Sequence, residues 1–244
     1  MTDYVLDVSN VEKSFNTKRV LSGLSFSLGR GGVYALIGAN GTGKTTLFNI
    51  ISGFLPADGG DVRFNGCPIN NLSPNLINTM GISRTFQEIK LARSLSVKEN
   101  ILLAAKMNSN TFQFYFKDYP KEAYSKVNDI INQLGLDHIQ MKPIKEISYG
   151  EQKLVSYACC IANDGELYLL DEPVAGISSS NIMRITNFLR SIKDRKKTVL
   201  LVEHNREFIE AIADRLLFLS LGKIIEFTSY SQMKSDPLVQ KAYL

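Results

Sequence analysis

The chain has 244 residues, long enough to bury a substantial core, which excludes a peptide hormone or a small disulfide-stapled scaffold. Hydrophobic residues make up 44% and charged residues 21%, the balance of a folded globular protein rather than a disordered one. Twenty-eight basic against 24 acidic residues leave a formal charge of +4, too little over this length for a dedicated nucleic-acid surface.

The first third reads as short strands punctuated by glycine: Val5–Val8, Ser25–Leu28, Val33–Ile37 and Asp61–Phe64, the last followed by an Asn65-Gly66 turn. From Leu95 to Leu136 the apolar spacing becomes helical, with Val97, Ile101, Leu102 and Ala105 on one face, then Tyr124, Val127, Ile130, Ile131 and Leu134 on another. The polar and aromatic stretch Asn108–Pro120 between them is expected as a loop or frayed helix end. After Ser148, helix and buried strand alternate: a helix over Lys153–Ala162, a strand at Leu167–Leu170, a helix at Ser180–Ile192 and a strand at Val199–Val202. This rhythm predicts an α/β core with mostly parallel strands, closed by a hairpin of Arg215–Leu219 and Lys223–Phe227.

No apolar run approaches the roughly 18 residues that a membrane-crossing helix needs. The start, Met1-Thr2-Asp3-Tyr4, lacks the basic and apolar pattern of a secretory signal, so the cytosol is the expected compartment. Three cysteines, two of them adjacent (Cys159 and Cys160), make neither a disulfide framework nor a spaced zinc set and are expected as buried reduced thiols.

The segment Gly38-Ala39-Asn40-Gly41-Thr42-Gly43-Lys44-Thr45 fits G-x-x-x-x-G-K-[ST], with an apolar strand before it and a helical pattern, Thr46–Ile51, after it. Glycines let such a loop wrap phosphates with inward-pointing backbone N–H groups, and the helix N-terminus adds partial positive charge. Lys44 is the point charge for the β- and γ-phosphates, and the Thr45 hydroxyl is a candidate ligand for Mg²⁺. The strand Leu167–Leu170 runs into Asp171-Glu172-Pro173. In a parallel sheet the ligand lies beyond the C-terminal strand ends, which suits Asp171 as a metal-binding carboxylate. Glu172, one residue on, could orient and deprotonate an attacking water. A guanine-reading Asn-Lys-x-Asp run is absent, whereas a small-molecule kinase remains open on the loop and acid pair alone.

Ile147-Ser148-Tyr149-Gly150-Glu151-Gln152 is similar to the L-S-G-G-Q signature of ABC transporter nucleotide-binding subunits, and with this segment in its place nearly the whole chain resembles that family. The resemblance implies an α/β P-loop ATPase core with a mostly parallel sheet, an N-terminal antiparallel β subdomain and an inserted helical subdomain. The core would comprise about 1–87 and 163–244, and the helical part about 88–162. It also implies ATP and Mg²⁺ as ligands. Nucleotide would be held by Gly38, Ala39, Asn40, Gly41, Thr42, Gly43, Lys44, Thr45 and Thr46, with Phe15 stacking on adenine and Val20 as an apolar wall. Thr45, Gln87 and Asp171 would serve the metal, and Glu172, His204, Gln87 and Lys44 the hydrolysis. Ser148 and Gly150 would face the nucleotide of a second ATP-binding subunit, identical or related.

Gly81–Gln87, Leu95–Asn100 and the ending Asp236–Leu244 look like the ATPases of branched-chain amino-acid importers, with urea-importer and lipopolysaccharide-export ATPases as near relatives. The implied partners are integral membrane permease subunits and a substrate-binding protein, with no nucleic acid, at the cytoplasmic face of the membrane. A soluble ABC-type ATPase acting on DNA or ribosomes is the competing class, but such proteins usually carry two nucleotide modules or long insertions. The chain departs from the family at Tyr149, at Ala175-Gly176-Ile177-Ser178, which lacks the usual aspartate, and at Cys159 and Gly165, where relatives often carry arginine and proline. These departures leave the transported solute unassigned.

Overall fold

The computed structural model describes residues 4–86, 88–106 and 119–243. Strands β1 (Tyr4–Phe15) and β2 (Lys18–Gly29) form a long antiparallel hairpin. Both run well beyond the short strands expected from sequence. The reason lies in the register, which shifts between Val8 and Val11 and again before Glu12. Each bulge resets the two-residue alternation, so the apolar positions of one strand read as unrelated fragments. β4 (Gly59–Phe64) pairs with the free side of β1, and β5 (Cys67–Pro68) with β4, giving the order β2-β1-β4-β5. Gly60, at φ 82°, meets the bulge so closely that a Cβ would lie 2.3 Å from the Asn10 carbonyl oxygen.

The second sheet has the order β10-β9-β3-β8-β7-β6, built from β3 (Val33–Ile37), β6 (Ile82–Arg84), β7 (Leu167–Asp171), β8 (Thr198–Val202), β9 (Arg215–Ser220) and β10 (Lys223–Phe227). All neighbours are parallel except the terminal β9–β10 hairpin. Every residue of β7 and β8 is buried, as expected for parallel strands covered on both faces. α1 (Lys44–Ile51) follows β3, and α2 (Pro74–Met80) precedes β6. Between β6 and β7 stand α3 (Val97–Lys106), α4 (Lys121–Leu134) and α5 (Tyr149–Ala162), which pack on one another. α6 (Ser179–Asp194) joins β7 to β8 and α7 (Arg206–Ile212) joins β8 to β9, while α8 (Tyr230–Ser235) and α9 (Pro237–Tyr243) end the described chain.

Alternate residues of the central strands feed opposite cores. Leu36, Leu169, Leu200 and Leu217 pack with Leu47 and Phe48 of α1 and with Val8 and Leu24 of the antiparallel sheet. Ala35, Leu170, Leu201 and Phe218 pack with the helices on the other face, including Ile101, Val127, Leu154 and Phe188. The parallel sheet is thus the middle layer. Much of the aromatic stretch 108–120 lies outside the described residues. One cysteine expectation is corrected: Cys160 is buried and Cys159 half-buried, but Cys67 is exposed, because the two-residue strand β5 lies at the edge of its sheet with neither residue covered.

Leu169 is fully buried at the centre of the sheet. Leu169→Ala should lower unfolding free energy by about 2–5 kcal/mol in a denaturant titration, whereas truncating the exposed Leu103 should change it by no more than about 0.5 kcal/mol.

Candidate functional site

β3 delivers the chain into the Gly38–Gly43 loop, and α1 begins at Lys44 with Gly43 as its N-cap at φ 108°. Two of these glycines are dictated by space. A Cβ on Gly38 would lie 2.5 Å from the Leu219 carbonyl oxygen, and one on Gly43 would lie 2.9 Å from side-chain atoms of both Leu21 and Val20. Val20 therefore abuts the loop. Lys44 is buried, and its Nζ donates to the carbonyl oxygens of Gly38 (2.7 Å) and Ala39 (3.0 Å). The Thr42 hydroxyl donates to Ala39 as well (2.9 Å). Ala39, Asn40, Gly41 and Thr45 are exposed, and Thr46 is half-buried. Burial lowers the Lys44 pKa, while the charges of Glu172 and Asp171 act in the opposite direction. The loop and the acid pair thus lie within electrostatic reach of each other.

Asp171 is the last residue of β7 and is 8% exposed. Its carboxyl pKa is raised chiefly by burial and by the neighbouring Glu172, against the pull of Arg84, Lys44 and Lys153. Arg84 stands 3.8 Å away through Nη2, and the Thr85 hydroxyl accepts the Asp171 backbone N–H at 3.1 Å. Arg84 was not singled out from the sequence. Its guanidinium also donates to Asn49 Oδ1 (2.8 Å) and Ser52 Oγ (2.7 Å) on and just after α1. The rings of Phe48, Phe54 and Phe86 lie 5.2–6.0 Å from it.

Glu172 has φ 47°, a left-handed conformation that costs a non-glycine residue of order 1–3 kcal/mol. Its N–H donates to Val202 on β8 (2.9 Å). Its carbonyl accepts from Lys153 Nζ at 3.1 Å, and the same ammonium bonds the Ala175 carbonyl. The buried Glu203 carboxylate accepts the backbone N–H groups of Asn205 (3.2 Å) and Val174 (3.5 Å), and burial raises its pKa. His204 follows it, exposed, two residues past the end of β8. Lys153 and Glu203 were also missed. Lys153 follows Glu151-Gln152 and Glu203 precedes His204-Asn205, so neither stands out from the polar residues beside it in the sequence.

Phe15 is 46% exposed at the turn of the β1–β2 hairpin, with Lys13 Nζ 5.8 Å from its ring centroid. Gln87 lies outside the described residues. Ser148 is the N-cap of α5 and forms a capping box. Its backbone N–H (2.8 Å) and its hydroxyl (2.7 Å) donate to the Glu151 carboxylate, and its oxygen accepts the Glu151 N–H (3.4 Å). Gly150, half-buried, lies in the first turn. The fold therefore joins the P-loop, Asp171 and Glu172 at one edge of the parallel sheet, while Ser148 is exposed and its hydrogen bonds close within its own helix start.

The ABC transporter family model matches residues 21–175, more than half of the chain. The chain belongs to this ABC family. The probable branched-chain amino acid transport ATP-binding protein LivG of Methanocaldococcus jannaschii is 33% identical over 252 residues, spanning 98% of this chain and 97% of that protein. The high-affinity branched-chain amino acid transport ATP-binding protein LivG of Salmonella typhimurium is 27% identical across 100% and 99% of the two chains. A crystal structure of the ADP conformation of an ATP-binding cassette from an ABC transporter superposes with a TM-score of 0.86 at 31% identity over 99% of both chains. This cassette is accordingly an ATP-binding transporter subunit of the ATPase type, and its α/β fold with an antiparallel N-terminal sheet matches the expectation from sequence.

Gly43→Ala, which strains the cassette's loop and pushes on Val20 and Leu21, should weaken ATP binding at least tenfold, about 1.4 kcal/mol, in a fluorescent-nucleotide titration. A second expectation concerns acid. The Ser148 hydroxyl holds the Glu151 carboxyl below its ordinary pKa. The stability it contributes is complete above the unfolded value of about 4.3 and is lost as pH falls through the lower folded value. Melting temperature should therefore fall less steeply below about pH 4.3 in Glu151→Gln than in the parent chain.

Proposed function

We propose that this cassette binds and hydrolyses ATP with Mg²⁺ to energise import of branched-chain amino acids or a similar small polar solute through separate membrane subunits. The observation that carries the reading is the convergence of the Gly38–Gly43 loop after β3 and the acid pair after β7 on the C-terminal edge of the parallel sheet, with Lys44 within electrostatic reach of both carboxylates. The loop from Gly38 to Thr46 cradles the phosphates with backbone N–H groups, and the Lys44 ammonium pairs with the β- and γ-phosphates. Phe15, exposed at the hairpin tip, stacks on the base, and Val20 walls it. The Thr45 hydroxyl and the Asp171 carboxylate are hard oxygen donors of the kind Mg²⁺ takes, and Gln87 supplies a third. Mg²⁺, when bound there, neutralises and orients the phosphate oxygens.

Glu172 acts as general base on the attacking water, and His204 contacts the γ-phosphate from the end of β8. Ser148 and Gly150, at the start of α5, serve the nucleotide of a second cassette in a head-to-tail pair, so that each ATP is sandwiched between two chains. ATP then favours the closed pair, and loss of the γ-phosphate lets it open. No helix among the described residues is long and apolar enough to cross a membrane. Transport therefore calls for permease subunits, which would dock on the groove lined by Phe86, Leu91, Leu103 and Cys159 and hold the cassette at the cytoplasmic face of the membrane. A substrate-binding protein would deliver the solute.

Glu172→Gln should keep ATP affinity, lower turnover by about 10²- to 10⁴-fold and accumulate an ATP-bound dimer on size-exclusion chromatography. Undiminished turnover in that variant would remove Glu172 from the role of base. Lys44→Ala should instead weaken ATP binding itself, and unchanged affinity would count against the phosphate-loop reading.

A further inference from the structure

The left-handed turn at Glu172 is held in place by a residue from another element. Its N–H is fixed to β8 through Val202, and its carbonyl closes a short turn by accepting the Ala175 N–H at 3.3 Å. The same carbonyl, and that of Ala175, both accept from the ammonium of Lys153 on α5. Lys153 is 8% exposed, so its charge has been taken out of water, and two of its three donors go to these backbone oxygens. Glu203 accepts the Val174 N–H of the same turn at 3.5 Å. The turn 172–175 thus has its carbonyls bound by a buried cation and an N–H bound by a buried anion. A strained non-glycine conformation persists only where its surroundings over-determine it, and these contacts are the ones that do so.

We propose that Lys153 is a positioning residue for Glu172, clamping the 172–175 turn so that the Glu172 carboxylate is held where it meets the attacking water. The inference rests on the reading of Glu172 as the base. Lys153 lies five residues after Ser148 on α5, so the helix whose start serves the partner's nucleotide carries, one and a half turns on, the clamp on its own chain's base. A small displacement of a reacting group costs up to about a hundredfold in rate, so the clamp acts on turnover and leaves phosphate binding to the loop.

The test is made on the full chain with Lys153→Met, Lys153→Arg, Glu172→Gln and the double variant Lys153→Met/Glu172→Gln. Lys153→Met should lower kcat on the order of 10- to 100-fold with the KM for ATP and the nucleotide Kd within about twofold. Lys153→Arg should recover most of the rate, since a guanidinium can serve both carbonyls. The double variant should be no slower than Glu172→Gln alone, because both changes act through one group. Val127→Ala, a core truncation in α4, supplies a stability-matched control that keeps its kcat. If Lys153→Met fails to fold, Lys153→Gln, which replaces the ammonium with a shorter neutral amide, is read by the same criteria. Parent-like kcat in the Met or Gln variant, equal losses in kcat and nucleotide binding, or failure of Arg to rescue would overturn the proposal. Should Glu172→Gln itself turn over normally, the base assignment falls; should it collapse while Lys153→Met does not, only the clamp falls.

Discussion

Asp171 is a carboxylate almost wholly removed from water, and much of the surrounding structure serves to keep that tolerable. A lone buried anion is costly in a low-dielectric interior and would take up a proton instead. Three cations oppose that tendency, each from a different element: Lys44 from the start of α1, Arg84 from the end of β6 and Lys153 from α5. Because parallel strands all end on the same side, one sheet edge brings these elements to one place. The charge balance thereby ties the phosphate loop, the strand leading to Gln87 and the signature helix to a single acid.

Much of this was legible in the sequence because backbone chemistry restricts residue choice most severely there. Gly38 and Gly43 leave no room for a Cβ, so the loop announces itself. The acid pair stands out because it ends a run of buried apolar residues. The helices α3 to α6 showed their 3.6-residue spacing, and the terminal hairpin its alternation. β1 and β2 did not, since four register shifts break the alternation along the pair. β6, α2 and α7 are too short for any period to register.

The residues that sequence reasoning missed share a physical reason. Arg84, Lys153 and Glu203 look like ordinary surface charges when only their neighbours in the chain are considered. Their partners are carbonyls, N–H groups and rings that lie far away in sequence: Lys153 meets residues 172 and 175, and Arg84 meets Asn49, Ser52, Phe54 and Asp171. Ser148 shows the converse. The capping box accounts for a serine followed three residues later by glutamate without reference to any ligand, so the residue types alone do not separate local helix chemistry from the proposed role toward nucleotide.

The alternation of the central strands between two cores gives the molecule two independent adjusting screws on one shaft. Leu169 and Leu170 are neighbours in the chain, yet the first reports to α1 and the antiparallel sheet and the second to the helices on the far face. Volume changes at even and odd positions of β7 therefore act on different layers. Variation can accumulate on the helical side, where a membrane partner would be met, while the layer beneath the phosphate loop keeps its packing.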